Sequence, residues 1–162
     1  MFIMIRIKYL LLMVCIAGCF AACKKNEKPF DDVAQFKIDT AAIRSFVTSK
    51  GLVMEKNEKY GIFSQKINPG TGDAIFNEKT LITADYEGRF LDGTVFDSRK
   101  DVEFNLDGVI PAWQYGVPLI QKGGTIRFIT PSFYGYKNIA NNRVPANSIL
   151  DFTVTIKEIK QP

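Results

Sequence analysis

The chain has 162 residues, 21 of them Lys or Arg and 17 Asp or Glu, for a net charge of +4, and it contains no histidine. Without an imidazole there is no Ser-His-Asp or Cys-His nucleophile and no His-ligated zinc or haem. All three cysteines, Cys15, Cys19 and Cys23, fall within the first 23 residues, so the body has no disulfide, thiol chemistry or cysteine zinc site. Basic and acidic residues are mixed along the sequence, which argues against a nucleic-acid partner. The composition, 46% hydrophobic and 23% charged, is that of one globular domain with terminal additions.

The first 22 residues carry Arg6, Lys8 and no acid, then an apolar run and small residues, which is the pattern of a secretory signal. Two sites end in cysteine, Ile16-Ala17-Gly18-Cys19 and Phe20-Ala21-Ala22-Cys23. Both resemble the bacterial lipobox, in which the cysteine is lipidated and becomes the mature N terminus. Cys19 has the better aliphatic residue three places upstream, whereas Cys23 leads directly into the polar run Lys24–Lys28. The reading is a lipoprotein signal peptide over 1–22 with lipidation at Cys23 or Cys19, and an uncleaved membrane anchor as the plainer alternative. It implies a protein tethered through lipid to the bilayer of a bacterial cell envelope, the outer membrane first, on its periplasmic side or surface. Residues 23–35 are polar, contain Pro29 and lack periodicity, as expected of a tether.

Between Phe36 and Gly51 the apolar residues Ile38, Ala42, Ile43, Phe46 and Val47 recur at helical spacing, with Asp39 or Thr40 placed to cap the start and Gly51 to end it. This predicts an amphipathic helical arm within 36–58, lying on the domain or on a partner. From 59 to 162 the texture is β. Tyr60–Ile67 reads as a strand and Asn68-Pro69-Gly70-Thr71-Gly72 as a turn. In Leu81–Phe90, Ile82, Ala84 and Tyr86 alternate with Leu81, Thr83 and Asp85, so one face can be buried. Leu91-Asp92-Gly93-Thr94 carries the Asp-Gly hairpin signal. Val95–Ser98, Val102–Leu106, Thr125–Thr130 and Ile149–Ile159 complete the strands. A short helix fits about Pro111 to Ile120, with Pro111 in its first turn and Pro118 limiting its length. Five or six strands and one short helix give an antiparallel α+β domain, a sheet curled over a single helix. Aromatic residues crowd the second half of the chain; Phe104, Phe128 and Phe152 read as core, and periodicity does not decide whether the others face a cavity.

The residues themselves carry a resemblance. Asp85-Tyr86-Glu87-Gly88-Arg89-Phe90-Leu91-Asp92-Gly93-Thr94-Val95-Phe96-Asp97-Ser98 resembles the Y-x-G-x-L-x-D-G-x-x-F-D-S signature of FKBP-type peptidyl-prolyl isomerases. Val109-Ile110-Pro111-Ala112-Trp113 is similar to the V-I-x-G-W start of the family's short helix, and Lys122-Gly123-Gly124 to its M-x-x-G-G turn. Thr130-Pro131-Ser132 with Gly135-Tyr136 resembles the I-P-x-x-x-x-Y-G region, and Val144-Pro145-Ala146-Asn147-Ser148-Ile149-Leu150-Asp151-Phe152 the I-P-P-N-x-x-L-x-F closing strand. The likeness runs from about Tyr60 to Ile159.

The resemblance implies a half-barrel of antiparallel strands around one helix, with a substrate proline in the gap between them. Trp113 is then the floor of the proline pocket, with Tyr86, Phe96, Val109, Ile110 and Phe152 as walls. Asp97 is the carboxylate beside it, and Tyr136, with Tyr134 as the alternative, is the hydroxyl donor to bound peptide. The Ile110 backbone N–H is a second donor, and Val144 an apolar residue of the loop over the site. The implied activity is isomerisation of X–Pro bonds in exported polypeptides, needing no metal or cofactor. The implied state is a monomer, with dimerisation through the N-terminal helix left open. The sequence departs from the pattern at Val102, where an aromatic is usual, at Ala112, and in the glycine-free loop Lys137–Val144. A catalytically weak module that binds proline segments or holds unfolded chains therefore stands as the alternative.

Overall fold

The computed structural model describes residues 31–161; the leader, Cys15, Cys19, Cys23 and the first part of the tether lie outside the described residues. Helix α1 spans Asp32–Ser49, four residues earlier than the apolar spacing predicts. Asp31 is its cap, accepting from the backbone N–H groups of Val33 and Ala34 at 3.0 Å each. Asp39 is no cap. It sits mid-helix, 2% exposed, and its Oδ2 accepts from the backbone N–H and the hydroxyl of Ser132 at 2.8 and 2.6 Å. A carboxylate on the inner face of an amphipathic helix reads as a start signal when its distant partner, 93 residues on, is not visible.

Six strands follow α1: β1 (Glu55–Lys56), β2 (Phe63–Asn68), β3 (Leu81–Arg89), β4 (Val95–Asn105), β5 (Thr125–Thr130) and β6 (Leu150–Lys160). They form one antiparallel sheet in the order β1-β2-β5-β6-β3-β4. Helix α2 (Pro111–Gly116) lies between β4 and β5 in sequence and continues into a 3-10 turn, Val117–Leu119. Its six residues are too few to be stable alone. Packing holds it: Ala112, Trp113 and Val117 are buried against the face of the sheet that also carries Ile82, Ala84, Ile126 and Phe128. Gly116 permits the approach, since a Cβ there would lie 2.9 Å from Phe128 Cδ1.

The opposite face is covered by α1. Ile43 and Val47 pack with Phe63 and Ile129 in a second, smaller core. Strand alternation explains the division, because Ile126 and Phe128 point to one side of β5 and Ile129 to the other. The sheet is thus a middle layer between the two helices.

The polar run Arg99-Lys100-Asp101, which the sequence suggests as a break between two strands, lies within continuous β4 as a bulge. Ala84 pairs with Val102 but Tyr86 pairs with Arg99, so two residues of β4 oppose Asp85. Asp101 takes a φ of 51° there, and its N–H donates to the Asp85 carboxylate at 2.9 Å. That bond, followed by one from Lys157, holds the Asp85 carboxyl below its ordinary value.

The Asp39–Ser132 contact is the polar bond between arm and domain. Asp39→Ala leaves the buried Ser132 N–H and hydroxyl without their acceptor and should cost about 3 kcal/mol. Asp39→Asn, which keeps one carbonyl acceptor, should cost about 1 kcal/mol. Urea denaturation of the two variants checks this; an unchanged midpoint in Asp39→Ala would contradict the bond.

Candidate active site

A cavity of about 330 Å³ opens between α2 and the β3–β4 side of the sheet. Trp113 is its floor and is only 5% exposed. The indole meets four rings edge-on: Tyr86 at 5.0 Å, Phe104 at 5.2 Å, Phe152 at 5.5 Å and Phe128 at 6.5 Å between centroids. Edge-to-face contacts set the tilt of each ring as well as its distance, so the floor is fixed by the core beneath it.

Gly88 makes the side wall. It pairs with Asp97 on β4 and with Phe152 on β6. A Cβ at this position would meet Phe96 Cζ at 2.6 Å and Phe152 Cε1 at 2.8 Å. With no side chain in the way, Phe96 and Phe152 close over the strand in a T-shaped pair 5.7 Å apart.

The β4 bulge distributes the rest. Phe104 and Val102 line the cavity on one side of it, and Asp97 and Phe96 on the other. An extra residue switches which parity of a strand faces a given side. Asp97, five residues from Val102, thereby shares the cavity with it. Asp97 Oδ2 accepts from the Tyr86 hydroxyl at 2.6 Å. Its Oδ1 accepts from Arg143 at 2.7 Å and lies 3.8 Å from Arg99 Nε. Arg127 lies elsewhere and grips the buried Asp151 through two bonds of 3.0 and 2.7 Å. Burial, ahead of the bond to Asp97 and that carboxylate's charge, pushes the Tyr86 phenol up to about 12.

Of the residues singled out from sequence, Tyr86, Phe96, Asp97, Val109, Ile110, Trp113, Tyr136 and Phe152 all line this cavity. Tyr134 does not. It stands among rings from α1, the β1–β2 connection and α2, edge-on to Phe36, Tyr60 and Tyr115. Ile110 precedes α2 with extended ψ, and among the described residues its N–H has no acceptor. Val144 departs from expectation: it is 2% exposed, packs in the main core and is absent from the cavity lining. The loop uses it as a plug, and its neighbour Arg143 is the residue that reaches the site.

Gly108 and Arg143 are site residues that sequence reading passed over, and Phe104, read as core, lines the cavity as well. Phe104 follows Val102 by two on one strand, so alternation alone would have found it. Arg143 gives no local signal, because its contact spans 46 residues.

The sequence profile of the FKBP-type peptidyl-prolyl cis-trans isomerases matches residues 72–157. The chain is similar to the FKBP-type isomerase FkpA of Buchnera aphidicola subsp. Schizaphis graminum, 30% identical over 148 residues covering 85% of this chain and 59% of that protein. FkpA of Escherichia coli strain K12 is 33% identical over 119 residues, covering 71% and 43%. The chain thus spans about half the length of these relatives. The crystal structure of Escherichia coli FkpA superposes with a TM-score of 0.67 at 30% identity, covering 80% of this chain and 61% of that one. A peptidyl-prolyl cis-trans isomerase from Pseudomonas syringae pv. tomato superposes at 0.65 with 24% identity, covering 77% and 96%, a likeness of fold. The profile match takes in more than half of the sequence, including the strands and short helix that enclose the cavity, and the chain belongs to the FKBP-type peptidyl-prolyl cis-trans isomerase family.

Proposed function

We propose that this protein isomerises X–Pro bonds in exported polypeptides by binding the prolyl segment in the Trp113 cavity. The observation that carries the reading is the cavity itself, an aromatic cup edged by the Tyr136 hydroxyl and by the Ile110 N–H, which has no acceptor among the described residues.

Rotation about an amide is slow because it destroys resonance, at a cost of about 18–20 kcal/mol. No bond breaks and no proton moves, so the absence of histidine is no obstacle. The twisted amide is less charge-separated than either planar form, and apolar walls favour it. Ile110 N–H and the Tyr136 hydroxyl can hold the peptide while the prolyl ring rests on Trp113. Fitting the twisted state better than the planar ones is catalysis by differential binding. Lowering the barrier by about 4 kcal/mol accelerates rotation roughly a thousandfold. Asp97 fixes the Tyr86 wall through their short bond. Val102, smaller than an aromatic, leaves that side of the cup wider, and this supports a second reading, a module that binds proline segments with little turnover.

The N-terminal sequence supports a tethered form of this activity, with Cys23 lipidated, Cys19 as the alternative, and the domain displayed from the envelope membrane to meet newly exported chains. Residues 1–22 are then absent from the mature protein. The helical arm and the domain over 59–162 act as one monomeric body, and dimerisation through the arm is a further option.

An exchange or protease-coupled assay on short X–Pro peptides tests the activity. Acceleration is expected, falling about tenfold or more in Trp113→Leu and Asp97→Ala. It should stay flat between about pH 6 and 9, since the lining holds no histidine or cysteine and the Tyr86 phenol is pushed up to about 12. Binding without acceleration would leave the second reading. Mass spectrometry of the membrane-extracted protein tests the anchor: an acylated Cys23 at the N terminus is expected. An unacylated chain retaining residues 1–22 would contradict it, and acylation at Cys19 would move the site.

A further inference from the structure

Arg143 is placed at the mouth of the cavity by more than its own side chain. Its neighbour Val144 is buried in the core at 2% exposure. The Asn141 side-chain carbonyl accepts from the backbone N–H groups of both Arg143 and Val144 at 2.9 Å, and Asn141 N–H donates to Val144 C=O at 2.9 Å. The turn is therefore fixed on the molecule, and from it Arg143 reaches Asp97 Oδ1 at 2.7 Å.

The charges at this mouth do not cancel. Asp97 is the single acid among the lining residues. One of its oxygens is engaged by the Tyr86 hydroxyl, and the other faces both Arg143 and, at 3.8 Å, Arg99. One negative charge stands against two guanidinium groups, each with a side chain 56% exposed. A guanidinium has five N–H donors, and Arg143 uses one of them on Asp97. Among the described residues Arg143 makes no other side-chain bond, and the Asp97 it touches lines the cavity, so its remaining donors are left for a ligand at the cavity's edge.

We propose that Arg143 is a specificity-determining residue that favours proline segments with an acidic residue next to the proline. The proposal rests on the cavity being the proline site. A carboxylate near the surplus guanidinium gains, and an ammonium loses, the interaction of a partly exposed ion pair, which amounts to about fivefold in affinity at low salt. The effect is electrostatic and fades when ions screen it.

Trp113, the chain's one tryptophan, supplies the readout, because its fluorescence reports occupancy of the cavity floor. Two peptide series carry Glu, Gln or Lys immediately before proline, or immediately after it. With the full chain at low salt, Glu should bind about fivefold tighter than Lys in at least one series, with Gln between them. The ratio should approach one in Arg143→Gln and at about 0.5 M salt, and should persist in Arg143→Lys. Equal affinities in both series, or a ratio unchanged in Arg143→Gln, would overturn the proposal. Loss of the ratio in Arg99→Gln alone would overturn the assignment to Arg143. Affinities are read apart from turnover: peptides bound without acceleration would sink the isomerase reading while the charge preference still stood or fell, and peptides that leave Trp113 fluorescence unchanged would sink both.

Discussion

The burial of Trp113 is the constraint from which the rest of this molecule follows. A six-residue helix has no independent stability, so α2 exists where its tryptophan finds a place among rings from four strands. Those rings, Tyr86 and Phe104 on β3 and β4, Phe128 on β5 and Phe152 on β6, are set by strand register, not by the helix. The indole is nearly as buried as the core, yet one face of it closes the cavity. Floor and core are the same packing, which gives the site rigidity without a dedicated scaffold. The two close approaches that make this work are at glycines, Gly116 at the end of α2 against Phe128 and Gly88 under the Phe96–Phe152 pair.

Polar contacts then fix what packing leaves free. The Tyr86–Asp97 bond joins β3 to β4 across the cavity wall, and it depends on the β4 bulge bringing Asp97 to that face. On the other side, Ser132 C=O accepts from the N–H groups of Gly135 and Lys137, bracketing Tyr136. Ser132 is itself held by Asp39 of α1. The N-terminal helix thus bears on the site through one buried carboxylate, although it covers the opposite face of the sheet.

Much of this was legible in the residues. Alternation placed β3, the Asp-Gly pair placed the hairpin, and Pro111 marked the start of α2. The family signature brought together most of the cavity's residues before any geometry. What escaped were features that depend on distant partners or on a change of parity. Asp39 reads as a cap because local rules know only its neighbours. The bulge reads as a break because Arg99, Lys100 and Asp101 are all exposed and polar. Val144, expected over the site, is buried by the loop as an apolar residue would be, and Arg143 beside it reaches the site through a partner 46 residues away that no local rule reveals.

The claim at the centre is that the X–Pro bond rotates while its prolyl ring rests on Trp113. Exchange NMR at equilibrium reads both parts in one sample, with cis and trans signals from an X–Pro peptide and the single indole N–H signal from the protein. The indole signal should shift as peptide is added and saturate in step with the rise in cis–trans exchange. Exchange that accelerates while the indole signal stays in place would put the chemistry elsewhere, and an indole shift with exchange no faster than in buffer would leave a binding site without catalysis.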